Sequence, residues 1–194
     1  MLRKSRGFVP SPVYLHEREC GPVFSAKKGQ KEVLAFGGDL KSAFCLAAGE
    51  RAYLSQYLGD MENFRVYQNF RKELDRMKTL FGVRPQKLVC DLHPGFSTTR
   101  LAEETAARRG LPLLQVQHHH AHAASVMAEH GLERCIAVVF DGTGYGTDGH
   151  IWGGEFLVCE GASFQRCGHL EEIFLTGGDA SSKDASLTAA CHLA

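Results

Sequence analysis

A chain of 194 residues can bury a core of its own and suggests one domain, or one and a half. Lys plus Arg and Asp plus Glu number 22 each, so no overall field draws the chain to nucleic acid or to an anionic membrane. The seven cysteines contain no CxxC pair, which signals neither a zinc knuckle nor a thioredoxin-like site and suits a reducing compartment. No run approaches the roughly 18 apolar residues of a membrane span, and no apolar stretch follows the basic start Met1–Arg6. A cytoplasmic protein with no membrane contact is expected.

Residues 1–31, with Pro10, Pro12 and Pro22 among several glycines, read as a linker or extended arm. Three short strands follow at Val33–Phe36, Ala43–Leu46 and Ala52–Ser55, separated by Gly37-Gly38-Asp39 and Ala48-Gly49-Glu50, as in an antiparallel meander. Over 63–81, Tyr67, Phe70, Leu74, Met77 and Phe81 recur at helical spacing, with Asn63 to cap the start and Gly82 to end it. A buried strand is expected at Lys87–Asp91 and a helix from Ser97 or Thr98 to Arg109. Another strand at Leu113–Val116 and a third helix over His118–His130 complete the first unit. A second meander begins at Cys135–Phe140 and continues through Ile151–Cys159 and Phe164–Phe174, with a helical stretch from about Lys183. Strands first and βα crossovers after give an α/β fold with a mixed sheet flanked by helices. The expected division is an arm over 1–31, a first lobe over 32–132 and an incomplete second lobe over 133–194.

The densest chemical signal is Gln117-His118-His119-His120-Ala121-His122. His118 and His122, four apart on a helix, project from one face and make half of a zinc or iron site. His119 and His122 are a competing pair, but the His119 face leads to Ala123 and Val126 and reads as core. The second signal is Phe140-Asp141-Gly142-Thr143-Gly144-Tyr145-Gly146-Thr147-Asp148-Gly149. A strand that ends in an acid and runs into alternating glycines leaves backbone N–H groups for phosphate oxygens, while the acid holds a metal. A plain hairpin turn is the alternative. Asp141 with the two histidines gives a three-ligand constellation, and Gly142, Thr143, Gly144, Tyr145 and Gly146 become candidate nucleotide contacts. Phe36–Ser42 holds the equivalent place in the first meander, with Lys41 as a phosphate contact or the loop as a simple hairpin. Asp91-Leu92-His93-Pro94 ends a strand where α/β proteins place ligands, or forms a solvated turn capped by Ser97. No cysteine has a histidine partner in sequence, so no thiol nucleophile is expected.

These residues resemble a known family. Cys90–Pro94, Ser97–Ala102, Gln117–His122, Phe140–Gly149 and Ile151–Phe156 are similar to the C-terminal half of the HypF carbamoyltransferases of [NiFe]-hydrogenase maturation. Shorter stretches fit as well, among them Arg6–Pro10, Gly59–Asn63 and Gly177–Ala180. The resemblance implies an actin-like, RNase H-like (ASKHA) lobe of the Kae1-like type. It implies a divalent metal, iron or zinc, on His118, His122 and Asp141. It also implies ATP or carbamoyl-adenylate as the bound nucleotide, and transfer of carbamoyl to a cysteine of a HypE-type acceptor protein. The family's adenylate-forming part lies upstream and the rest of the second lobe downstream, so this chain alone is expected to be inactive. The alternative is a non-catalytic metal- and nucleotide-binding or partner-docking module. A second sheet short of covering helices is expected either to pair into a homodimer or to stay mobile and prone to aggregate.

Overall fold

The computed structural model describes residues 11–14, 32–172, 184, 186 and 189–191. Most of the expected arm, the end of the third strand of the second meander and most of the helical stretch after Lys183 lie outside these residues. Nine strands and three long helices follow in chain order among the described residues. β1 is Val13–Tyr14, β2 Val33–Phe36, β3 Phe44–Ala48, β4 Arg51–Leu54, β5 Lys87–Asp91 and β6 Leu113–Val116. The second group is β7 Arg134–Tyr145, β8 Ile151–Glu160 and β9 Ser163–His169. The helices are α1 Phe64–Phe81, α2 Ser97–Arg109 and α3 His118–Glu129.

The first six strands form one mixed sheet in the order β1-β4-β3-β2-β5-β6. β2, β3 and β4 are the antiparallel meander, and β5 and β6 add in parallel beside β2. The short β1 extends the edge by pairing Val13 with Ala52 and Tyr14 with Arg51, so part of the expected arm is strand. Alternate strand positions supply Leu34, Phe36, Phe44, Leu46, Leu88 and Cys90 to one core, as a period of two requires. From α1 come Phe70, Leu74 and Met77, and from α2 Leu101, Ala102 and Ala106. Phe70 anchors that contact, stacked on Phe36 at 6.1 Å and edge-on to Phe44 at 5.3 Å.

Helix ends follow the residues meant to make them. Asn63 accepts the N–H of Arg65 at the start of α1, and Gly82 closes it in the left-handed region at φ 66°. α2 opens at Ser97, as the sequence suggests, while the alternative of a turn capped by Ser97 needs correction. Ser97 is the first helical residue, Phe96 holds the cap position, and Phe96 makes no side-chain cap bond. The cap comes from another loop. Asp39, buried, accepts the Ser97 N–H at 2.6 Å, the Thr98 N–H at 3.0 Å and the Thr98 hydroxyl at 2.9 Å.

β7, β8 and β9 form a second, antiparallel sheet. α3, the last element of the expected first lobe, packs its buried residues on this second sheet. Ala123 and Met127 share a core with Trp152, Leu157 and Cys159, flanked by Cys135, Ala137 and Phe164. One face of the sheet is therefore covered by α3. Ile136, Val138 and Phe140 alternate on the other face of β7 and are exposed, with Phe156 beside them on β8. No helix among the described residues is long and apolar enough to cross a membrane.

Candidate metal centre

The parallel pair β5 and β6 ends at one level, with Asp91 opposite Val116. Gln117 follows as the cap of α3, its side-chain oxygen accepting the His120 N–H at 2.9 Å. His118 therefore opens a helix just beyond the carboxyl edge of the sheet. One helical turn later His122 projects from the same face, and the two Nε2 atoms lie 3.2 Å apart.

Asp141 approaches from the second sheet. The sequence predicts that the strand ends at this acid, but β7 runs on through Tyr145. Phe140 pairs with Gly154 and Gly144 with Trp152, so three residues of β7 face Gly153 alone. A bulge of this kind bends the strand and re-aims its side chains. Here it turns the Asp141 carboxylate onto the helix, with Oδ2 2.8 Å from His118 Nε2 and 3.8 Å from His122 Nε2.

His118, His122 and Asp141 thus offer one donor atom each, all within 4.8 Å of one another. The donor set fits a divalent metal. Ligands at about 2.1 Å from zinc, spread by tetrahedral angles, lie about 3.4 Å apart. The 3.2 Å between the imidazole nitrogens is close to that spacing. Two imidazoles and a carboxylate suit zinc or iron. Exposure rises from His118, whose side chain is 26% accessible, through Asp141 at 32% to His122 at 56%, so the trio opens to solvent on the His122 side.

The electrostatics agree. His118 lies between two carboxylates, and its hydrogen bonds to Asp141 and then Asp91 push its pKa up to about 10. Asp141 is held below the usual carboxylate range, first by His118 and then by His122. Asp91 Oδ2 lies 2.5 Å from His118 Nδ1. A cluster with this much negative charge attracts a cation.

The bystanders on α3 position the site. His119 is fully buried and joins helix to strand. Its Nδ1 lies 3.0 Å from the Gln117 amide nitrogen, which can only donate, so the ring proton sits on Nε2. That Nε2–H donates to the Asp141 carbonyl at 3.2 Å and reaches the Gly153 carbonyl at 3.4 Å. Gln117 also donates to the Tyr145 carbonyl at 3.1 Å. His119 is a core residue by sequence, and in the structure it also carries the backbone of the third ligand. A histidine facing a stripe of alanines was the available signal. His120 is buried against Phe164, ring centroids 4.9 Å apart, and burial lowers its pKa.

The candidate nucleotide contacts fall into distinct surroundings. Gly142 sits in the bulge with open space where a side chain would be. Gly144 and Gly146 are buried, and a Cβ on either would fall 2.2 Å from an atom of His119 or Trp152. Those two glycines admit neighbouring rings, and the Gly146 N–H closes the hairpin onto the His150 carbonyl at 2.8 Å. Tyr145 is half-buried, edge-on to His93 at 5.2 Å. Thr143 lies within the bulge. Lys41 is exposed in the turn after Asp39. That turn reaches the site through Gly38, where a Cβ would lie 3.9 Å from His118 Cε1. Burial pushes the thiols of Cys45, Cys90 and Cys159 up to about 11, which leaves them poor nucleophiles.

Comparison with known proteins identifies the family. A family model described as the HypF Kae1-like domain matches residues 28–129. A second, the second subdomain of the carbamoyltransferase Kae1-like domain, matches residues 137–194. Carbamoyltransferase HypF2 of Cupriavidus necator is 40% identical over 193 residues, which is 99% of this chain and 23% of that protein. Carbamoyltransferase HypF of Synechocystis sp. is 41% identical over 184 residues, 94% of this chain and 22% of the relative. A crystal structure of full-length HypF in its phosphate- and nucleotide-bound form has a TM-score of 0.84 at 39% identity, covering 98% of this chain and 24% of that one. The structure of HypF from T. kodakarensis has a TM-score of 0.77 at 38% identity, covering 93% and 22%. The chain thus spans 22–23% of the length of these two curated relatives. Its α/β architecture, a mixed sheet flanked by helices, is that of actin-like, RNase H-like Kae1-type domains. In sequence and in fold alike, the chain belongs to the HypF carbamoyltransferase family and matches part of that family's Kae1-like domain.

Proposed function

We propose that this chain is the metal-holding part of a carbamoyl-transfer site. His118, His122 and Asp141 hold a divalent iron or zinc ion, and the bulge at Asp141–Thr143 faces the phosphate end of ATP or carbamoyl-adenylate. The carbamoyl group then passes to a cysteine thiol of a HypE-type acceptor protein. The sulfur attacks the carbamoyl carbon, the bond from that carbon to the phosphate oxygen breaks, AMP leaves, and the thiol proton goes to solvent. The observation that carries the reading is the convergence of three donor atoms within 4.8 Å, two from a helix and one from a strand, in a chain of carbamoyltransferase ancestry.

A bound cation supplies the positive charge that lets a phosphate approach a site containing Asp91 and Asp141. The chain's own residues do the rest. His118 and His122 donate nitrogen lone pairs from a fixed helix face. His119 and Gln117 hold the β7 bulge against that helix. Gly142 leaves the approach to the bulge free of side chains, and the exposed Lys41 offers a cation on the neighbouring turn. Full-length HypF has been crystallised with phosphate and nucleotide, which supports the same kind of ligand here.

The test is equilibrium dialysis of the chain against Zn²⁺ or Fe²⁺, followed by elemental analysis. One ion per chain is expected, lost in His118→Ala/His122→Ala and in Asp141→Ala. Equal metal in all three proteins overturns the ligand assignment. Nucleotide binding, followed with a fluorescent ATP analogue, should then require the metal.

A further inference from the structure

We propose that Asp91 is a positioning residue for this site, fixing the tautomer and ring plane of His118 so that Nε2 faces the metal position. The proposal rests on the metal-site reading above. The carboxylate is buried and close, with Oδ2 2.5 Å from His118 Nδ1. Its other oxygen is committed elsewhere, accepting the His93 N–H at 2.8 Å, so the carboxylate cannot swing freely. The backbone is pinned as well. Asp91 pairs with Val116 in the sheet, its carbonyl accepts the Thr99 hydroxyl at 3.2 Å, and the next N–H, of Leu92, donates to the Val116 carbonyl at 2.9 Å. His118 begins its helix two residues after Val116. The register of β5 with β6 thus sets the distance from Asp91 to His118 before any ligand arrives.

A histidine that donates one ring N–H to a carboxylate presents the other nitrogen as a more basic and better aimed ligand. An imidazole without such a partner can flip and offer either nitrogen, which dilutes the productive geometry. His118 is the least exposed of the three candidate ligands and Asp141 already reaches its Nε2, so the ring must be held the right way round there. Of the two sequence readings of Asp91, the strand end that places ligands accommodates this contact, and the solvated turn leaves it unexplained.

The test uses the full chain and Zn²⁺ alone. Binding is measured by competition with a chromophoric chelator for wild type, Asp91→Asn and the surface control Glu104→Gln. Asp91→Asn keeps the acceptor for the His93 N–H but turns an N–H toward His118 Nδ1. Its affinity should fall about 10–100-fold, with the control unchanged. The second readout needs no variant. Long-range ¹H–¹⁵N spectra of the Zn²⁺-loaded wild type should show His118 protonated at Nδ1 and coordinated through Nε2. Coordination through Nδ1, or equal affinity in a folded Asp91→Asn, overturns the positioning role while leaving the ligand set intact. Absence of Zn²⁺ binding by wild type overturns both readings.

Discussion

His119 occupies the space that a side chain on Gly144 would need, since a Cβ built there falls 2.2 Å from His119 Cε1 and 2.7 Å from Nδ1. Because His119 also donates to the Asp141 carbonyl, the missing Cβ is part of how the third ligand is placed. Gly144→Ala should push the ring from its buried seat and disturb the bulge. A loss of about 1–3 kcal/mol in folding stability is expected, as for other overpacked sites, together with weaker Zn²⁺ binding. Urea denaturation and chelator competition check the two effects. Gly142→Ala, whose Cβ meets nothing within 4 Å, should keep the stability of the parent chain.

The elements of both sheets were legible because their period, caps and turns agree. Tyr67 to Phe81 repeats at helical spacing between Asn63 and Gly82, and α1 spans Phe64–Phe81. The histidine pair was legible because a spacing of four on a helix leaves little choice of face. Less could be read where an element is completed by something distant in sequence. Asp39 caps a helix that starts 58 residues later, and no local pattern announces that. The continuation of β7 through the glycines was hidden because alternating Gly residues look like a turn. Only the pairing of Gly144 with Trp152 shows a strand with a bulge. The side of the boundary on which α3 packs was equally invisible, because small residues such as Ala123 suit either sheet.

Asp39 satisfies two backbone N–H groups and one hydroxyl at the start of α2, where the helix dipole also favours a carboxylate. Asp39→Ala removes a cap and leaves those donors buried, which should cost about 2–3 kcal/mol. Asp39→Ser, which keeps an acceptor on a shorter side chain, should recover part of the loss. Chemical denaturation of the three proteins measures it, and identical midpoints would show that water takes over the cap.

The pKa shifts at the trio give a pH dependence with a definite sign. His118 has a folded pKa of about 10, above its unfolded value near 6.5. It therefore contributes stability that is fully present below 6.5 and lost as the pH rises toward 10. Asp141, with its pKa depressed, contributes stability above the unfolded value of 3.8 that is lost as the pH falls below it. The metal-free chain should be most stabilised by this pair between those two unfolded values. A metal must displace the His118 proton, so Zn²⁺ affinity should rise with pH, with about one proton released per ion near neutrality. Calorimetry in buffers of different ionisation enthalpy counts that proton. His118→Gln should remove both the release and most of the pH slope.

Arg166 and Glu155 provide a sharper test of what holds the second sheet. Glu155 is 1% exposed, and the guanidinium contacts both of its oxygens, at 2.6 Å from Nε and 3.1 Å from Nη2. The same guanidinium lies 4.3 Å from the centre of the Trp152 ring and 3.2 Å from Asp148 Oδ2. Asp148 in turn accepts the Trp152 indole N–H at 2.9 Å and the His150 N–H at 3.0 Å, fixing the hairpin between β7 and β8. Arg166→Ala strands a buried carboxylate, and removal of one partner from such a pair typically costs about 3–5 kcal/mol. Replacing both partners, as Arg166→Met with Glu155→Leu, removes the uncompensated charge along with the attraction. The double variant should therefore be markedly more stable than Arg166→Ala. Its hairpin loses one anchor, so amides of 146–150 should exchange faster than in the parent chain while those of α1 do not. A double variant as unstable as Arg166→Ala would show that the stacking on Trp152, and not the ion pair, sustains this part of the fold.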